Sequence, residues 1–327
     1  MINHELSLQQ FSEQIRYALE HFTERQVSFQ NPANIVICGL GGSGIGGRIA
    51  SGYFKNTAHC PIQVVSDYSL PAYVNEQTLV ILSSYSGNTE ETLQMFAEAQ
   101  KRKAQIVGIT SGGTLKSALQ EAHLPYFEIP GGYQPRMALG FSLSLCLLIL
   151  GKICNQNTAS ELEEVLLFYN QQEASIQVAQ NLCELFSGQP NRPFLVICDE
   201  TTHGVAVRFC QQIQENAKGQ AYALVLPECN HNFTESIYGS LQSHILFLNS
   251  QAHPRNTLRF DFLQNLLNQN QNQVVELAIQ SGSLPELFKA IYILDWLSIL
   301  LSNKKNQDNM QVPNIDQLKT FLKEHVS

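Results

Sequence analysis

Three hydroxyls fall within six residues in Ser84-Tyr85-Ser86-Gly87-Asn88-Thr89, and Glu90, Glu91 and Thr92 follow directly. A phosphate needs several short hydrogen-bond donors held in fixed order by a rigid turn. Ser84, Ser86 and Thr89, with the backbone amides of a helix starting after them, would supply that set. A helix cap, with Asn88 or Thr89 ahead of a glutamate, accounts for one hydroxyl but not for all three. A flavin phosphate loop has a similar composition but is expected after the first strand of its sheet. A second run, Gly39-Leu40-Gly41-Gly42-Ser43-Gly44, has GxGxxG spacing. It fits a dinucleotide, another oxyanion or a tight turn, because glycines let backbone amides come close to an anion. Asp67 lies about ten residues beyond the usual place of a ribose-binding acid. Arg136 after Pro135, Glu215 in QENAK, His231 in LPECNHN and Lys319 in a late polar segment carry titratable or charged side chains that spacing alone does not single out for chemistry. Alone, Glu215 also reads as a solvated acid paired with Lys218 three residues on, and Arg136, His231 and Lys319 as surface residues.

The elements that must hold these residues are marked by short apolar runs. Residues 34–38 (NIVIC) read as a strand ending in the glycine run, with a helix from Ile45 onward. Residues 62–66, 78–83, 106–110 and 126–129 read as further strands, and the composition of residues 90–101 is strongly helical. Before them, Leu8, Phe11, Ile15, Ala18, Leu19 and Phe22 recur at helical spacing. After an acidic amphipathic stretch, 160–186, the pattern restarts. Strands are predicted over 194–198, 221–226 and 244–248, with helices over 205–218 and 285–301 and from Asn314 to near the end. The Asn/Gln-rich residues 265–273 read as a solvated helix or loop. Strand, small-residue loop and helix in repetition predict parallel sheets flanked by helices, and the restart predicts two of them.

A chain of 327 residues is roughly twice the usual domain size. Its net charge of −8 gives no electrostatic footprint for nucleic acid, so an anionic ligand must be held by local amides and one or two placed cations. Residues 141–150 are apolar but short and interrupted by Ser142, Ser144 and Cys146, which predicts a buried helix and no membrane association. The opening MINHELSLQQ lacks a basic and an apolar signal region. The eight cysteines have no metal-ligand or redox spacing and read as small buried hydrophobes. The expectation is a cytoplasmic protein with no metal and no cofactor.

Taken in order, GLGGSGIGGR, SYSGNTEET and Pro135-Arg136-Met137-Ala138 resemble the sugar isomerase (SIS) domain family and, within it, the bifunctional phosphoglucose/phosphomannose isomerases; QENAK and LPECNHN extend the resemblance into the second half. The resemblance implies an α/β chain of two SIS-type (flavodoxin-like) domains. Residues 1–155 would carry the phosphate-binding loops and 156–327 the acid/base residues. It implies that Gly42, Ser43, Ser84, Ser86 and Thr89 hold the phosphate of a hexose 6-phosphate and that Arg136 faces the reacting carbons. Glu215 would move a proton between C2 and C1, while His231 and Lys319 would assist ring opening. It further implies a homodimer in which His231 comes from the partner subunit. Residues 309–314 (NMQVPN) contain no Thr or Ser, whereas family members acting on both epimers have a small hydroxyl residue in this region. Glucose 6-phosphate therefore follows more directly than mannose 6-phosphate. A noncatalytic sugar-phosphate-binding regulatory protein, a nicotinamide-dependent dehydrogenase and an isomerase of another phosphosugar are the competing readings.

Overall fold

Short β-branched runs that must bury both faces belong in the middle of parallel sheets covered by helices. In the computed structural model, which describes residues 2–27, 29, 31–169 and 172–325, they do so twice. The first sheet comprises β1 (Asn34–Cys38), β2 (Ile62–Val65), β3 (Thr78–Ser83), β4 (Gln105–Thr110) and β5 (Tyr126–Glu128), in the order β2-β1-β3-β4-β5. Each pairing is parallel, with Asn34 opposite Thr78 and Leu79 opposite Gln105. Its helices are α1 (His4–Gln9), α2 (Phe11–His21), α3 (Gly41–Phe54), α4 (Glu90–Lys101), α5 (Gly113–Glu121) and α6 (Leu139–Ile153).

After α7 (Thr158–Tyr169) and α8 (Gln172–Ser187), the second sheet comprises β6 (Phe194–Asp199), β7 (Ala221–Leu226), β8 (His244–Asn249) and β9 (Val274–Ala278). Its order, β7-β6-β8-β9, repeats the first four positions of the other sheet, again wholly parallel. The remaining helices are α9 (His203–Glu215), α10 (Pro254–Gln269), α11 (Leu284–Lys304) and α12 (Pro313–Glu324). One apolar cluster joins the halves through α3, α6, α9 and α11, with Phe209, Phe288 and Tyr292 among its fully buried members.

Several expectations shift in detail. The opening helical run is two helices, broken at Gln10. Helix α3 begins at Gly41, inside the glycine run, four residues before Ile45. The Asn/Gln-rich stretch is the end of α10, and it leads into a strand, β9, that the composition did not reveal. Residues 141–150 lie in α6, buried throughout. No helix among the described residues is long and apolar enough to cross a membrane. All eight cysteines are free, and six are buried.

Candidate active site

The two motif loops leave the carboxyl ends of β1 and β3, which are neighbours in the sheet, so the glycine run and the hydroxyl loop lie side by side. Ser43 ties them together. Its Oγ accepts from the Tyr85 amide at 2.9 Å, and its carbonyl accepts from Ser83 Oγ at 2.9 Å. Tyr85, the apolar member of the loop, turns inward and donates its hydroxyl to the Pro130 carbonyl at 3.0 Å. Ser84 Oγ lies 3.0 Å from Thr89 Oγ1, and Ser86 Oγ accepts from the Asn88 amide at 3.2 Å. Thr89 is the N-cap of α4, yet its side chain makes no capping hydrogen bond. The capping explanation therefore fails for that hydroxyl, and the first turn of α4 keeps amides to offer an anion. Gly87 adopts φ +65°, and a Cβ there would lie 1.8 Å from the Gly112 carbonyl oxygen, so this turn tolerates no side chain.

Gly42 connects this cradle to the next part of the site. A Cβ on it would sit 2.6 Å from the Arg136 amide nitrogen and 2.7 Å from the Pro135 carbonyl carbon. The start of α3 thus rests directly on the backbone that presents Arg136. Gly42→Ala has no flexible neighbour to displace and should cost about 1–3 kcal/mol. The expected result is an unfolding temperature lower by roughly 1–5 °C, read by calorimetry. An unchanged melting temperature would show that this contact is not tight.

Arg136 is 5% exposed, and every edge of its guanidinium is committed. Nη1 reaches Glu215 Oε2 at 3.2 Å, Nε donates to Asn216 Oδ1 at 3.2 Å, and Nη2 donates to the carbonyls of Asn309 at 2.7 Å and Met310 at 3.2 Å. Burial pushes its pKa below the ordinary arginine value, and the Glu215 carboxylate opposes that shift. Glu215, the last residue of α9, has a side chain 24% exposed, so the pair faces a partly open rim. Lys218 does not pair with the Glu215 carboxylate. Its Nζ donates to the backbone carbonyls of Glu215 and Gln311, at 2.5 and 2.6 Å. Residues 309–311 are therefore clamped onto the site from Arg136, Lys218 and Gln134, whose Nε2 donates to the Met310 carbonyl at 2.9 Å.

His4 was not singled out in the sequence, yet it packs against this assembly, 1% exposed and with neither ring nitrogen in hydrogen-bonding geometry. Burial, then the Arg136 and Arg208 charges, lower its pKa to about 3, while the Asn309 backbone opposes the shift without reaching bonding geometry. The folded protein thus refuses a proton that the unfolded chain accepts below its ordinary histidine value. Stability contributed by the neutral ring is full above about pH 6.5 and is lost as pH falls toward 3, by on the order of 5 kcal/mol in all. His4→Leu should flatten the pH dependence of the unfolding free energy between pH 4 and 7; an unaltered slope would show that another group carries it.

No hydrogen bond or ion pair joins His231 or Lys319 to Arg136 or Glu215 among the described residues. His231 is exposed in the short 3-10 turn Glu228–His231, beyond the carboxyl end of β7, whereas Glu215 precedes that strand's amino end. The six residues of β7 alone put roughly 20 Å between the two positions. Lys319 lies on α12, none of whose described residues is buried, and its Nζ stands 3.6 Å from Asp316 Oδ1. The residues missed in the sequence are Asn216, inside QENAK but without an assigned role, and the carbonyls of Asn309 and Met310. Carbonyl roles carry no side-chain signal.

The arrangement sets the glycine and hydroxyl loops beside a buried cation and a carboxylate. Residues 28–130 match the SIS domain family model, and residues 175–322 match the model described as bacterial phospho-glucose isomerase C-terminal SIS domain. A bifunctional phosphoglucose/phosphomannose isomerase of Caldicellulosiruptor bescii is 34% identical over 305 residues, covering 89% of each chain. The chain belongs to the bifunctional phosphoglucose/phosphomannose isomerase family. A second isomerase of the same description, from Aquifex aeolicus, is 34% identical over 301 residues, 89% of this chain and 91% of its own. The fold also matches a solved Clostridium difficile structure described as a phosphosugar isomerase, at a TM-score of 0.74 and 16% identity, over 97% of this chain and 98% of that one. Within this isomerase family, the two parallel sheets found here are two SIS domains.

Proposed function

We propose that the chain interconverts glucose 6-phosphate and fructose 6-phosphate, and mannose 6-phosphate and fructose 6-phosphate, by metal-independent proton transfer through a cis-enediolate. The observation that carries this reading is the Arg136–Glu215 pair, 3.2 Å apart at the rim of a cradle whose Gly42 abuts the Arg136 backbone. Gly42, Ser43, Ser84, Ser86 and Thr89 hold the phosphate. The Glu215 carboxylate takes the proton from C2 of the open-chain aldose; the C2 hydroxyl proton passes to O1, and Glu215 returns its proton to C1, leaving the carbonyl at C2. The charge that develops on the carbonyl oxygen meets Arg136 in a largely water-excluded setting. Similarity to the named bifunctional isomerases supports the mannose epimer, although residues 309–314 lack Thr and Ser.

Ring opening needs an acid at the ring oxygen and a base at the anomeric hydroxyl. His231 and Lys319 take these roles in an assembled homodimer, with His231 supplied by the partner subunit. The distance spanned by β7 supports this, since a chain's own His231 lies at the wrong end of the second sheet. Exposed apolar surface supports it too. Ile315, Leu318, Phe321 and Leu322 stand out from α12, and Leu258 and Phe262 line a groove of about 280 Å³ beside Asn230, the neighbour of His231. In this scheme residues 1–155 bind the phosphate, residues 156–327 carry the proton traffic, and the protein works in the cytoplasm. Assay of the purified protein with each hexose 6-phosphate, with and without chelator, tests the whole. Turnover of glucose and mannose 6-phosphates that survives chelation is expected. Inactivity with all three sugars, or loss on metal removal, rejects it.

A further inference from the structure

Behind Arg136 lies a second arginine that the proposed chemistry does not use. Arg208 is 3% exposed and is held by Asp295, with Nη2 2.6 Å from Oδ2 and Nε 3.0 and 3.1 Å from the two oxygens. A buried ion pair is weak grounds for stability. Desolvation of two charges offsets most of their attraction, and well-packed apolar residues of similar volume serve as well or better. Two guanidinium groups placed near each other in the core make the charge on Arg208 harder still to explain by stability. What the pair does provide is one further hydrogen bond: Arg208 Nη2 donates to the Arg136 backbone carbonyl at 3.1 Å.

The other end of Arg136 is held from the same place. Its Nε donates to Asn216 Oδ1, and Asn216 Nδ2 donates to Ser298 Oγ at 2.9 Å. Ser298 is one helical turn beyond Asp295 on α11, and its hydroxyl donates to the Asp295 carbonyl at 2.7 Å. Ser298 is fully buried and Asp295 is 1% exposed. The backbone and the guanidinium of Arg136 therefore trace to a single turn of α11 by two separate arms, Asp295–Arg208 and Ser298–Asn216.

We propose that this turn of α11 is the positioning platform of the isomerase, with Asp295 and Arg208 fixing the main chain of Arg136 and Ser298 fixing its guanidinium through Asn216. The proposal rests on the isomerase reading above and extends it to residues that touch no substrate. Displacing a charge-stabilising group by about 1 Å can cost on the order of 10² in rate, without changing how the phosphate is held.

The test is the doubly substituted chain Arg208→Met with Asp295→Leu, which replaces the buried pair by apolar side chains and leaves no lone charge. The expected result is an unfolding temperature close to the parent's, a KM for glucose 6-phosphate within about twofold and a kcat at least about tenfold lower. Ser298→Ala breaks the second arm without touching a charge and should lower kcat several-fold at the same KM. A folded double variant with parental kcat overturns the proposal. So does a change in KM alone. If the double variant does not fold, Ser298→Ala decides, and parental kcat there overturns the proposal equally. Inactivity of the parent chain itself would instead reject the isomerase reading.

Discussion

Glu215→Gln is expected to lower kcat for hexose phosphate isomerisation by roughly 10²–10⁴-fold, the range contributed by a positioned general base. The amide oxygen can still accept from Arg136 Nη1, so the 3.2 Å contact and the shape of the rim survive while basicity is lost. KM for glucose 6-phosphate should change by no more than a few-fold, because the cradle residues are untouched. Exchange of the sugar's C1 and C2 hydrogens with deuterated solvent, followed by NMR, should fall in parallel with turnover. Parental turnover, or exchange that persists without turnover, would remove Glu215 from the role of base.

Arg136→Met is expected to cut kcat by roughly 10²–10³-fold, as for loss of a donor aimed at developing negative charge. Its effect on the fold should be large as well. The substitution leaves the Asn309 carbonyl, Asn216 Oδ1 and the Glu215 carboxylate without the guanidinium that serves them, while the Met310 carbonyl keeps its bond from Gln134. Orphaned acceptors in a site this buried should cost on the order of 3 kcal/mol. Arg136→Lys separates the two effects. It restores a charge but not the planar fork, so stability and rate should both recover only in part. Thermal unfolding and steady-state kinetics on the two variants check this. Full recovery with lysine would mean that charge alone matters here.

The parts legible in the sequence were those written locally. Strands β1, β3, β4, β6 and β8 are continuous apolar runs because they are buried on both faces, which is what a run of Val, Ile and Leu records. Strand β9 was hidden because it is an edge strand, half-exposed, with Glu276 at its centre and an Asn/Gln-rich helix end before it. Glycine disfavours helix, so the glycine run itself does not mark the start of α3 at Gly41. Tertiary packing of its first turn against Pro135 and Arg136 outweighed that propensity. The hydroxyl loop could be read as one unit from Ser84, Ser86 and Thr89 because a short local turn carries all three side chains. The surroundings of Arg136 could not. Its partners lie 79 to 174 residues away, and two of them are main-chain carbonyls. His4 gave no signal, since nothing in a polar opening segment marks one histidine as buried against two arginines.

The seating of Gly42 against the Pro135–Arg136 backbone has a further consequence. Main chain meets main chain there, with no side chain between to flex, so the interval from the glycine loop to the Arg136 backbone is fixed by that contact. On the isomerase reading the site is a gauge of substrate length. A sugar phosphate one carbon shorter would anchor by the same phosphate and bring its reacting carbons up short, so discrimination among sugars would show in turnover more than in binding.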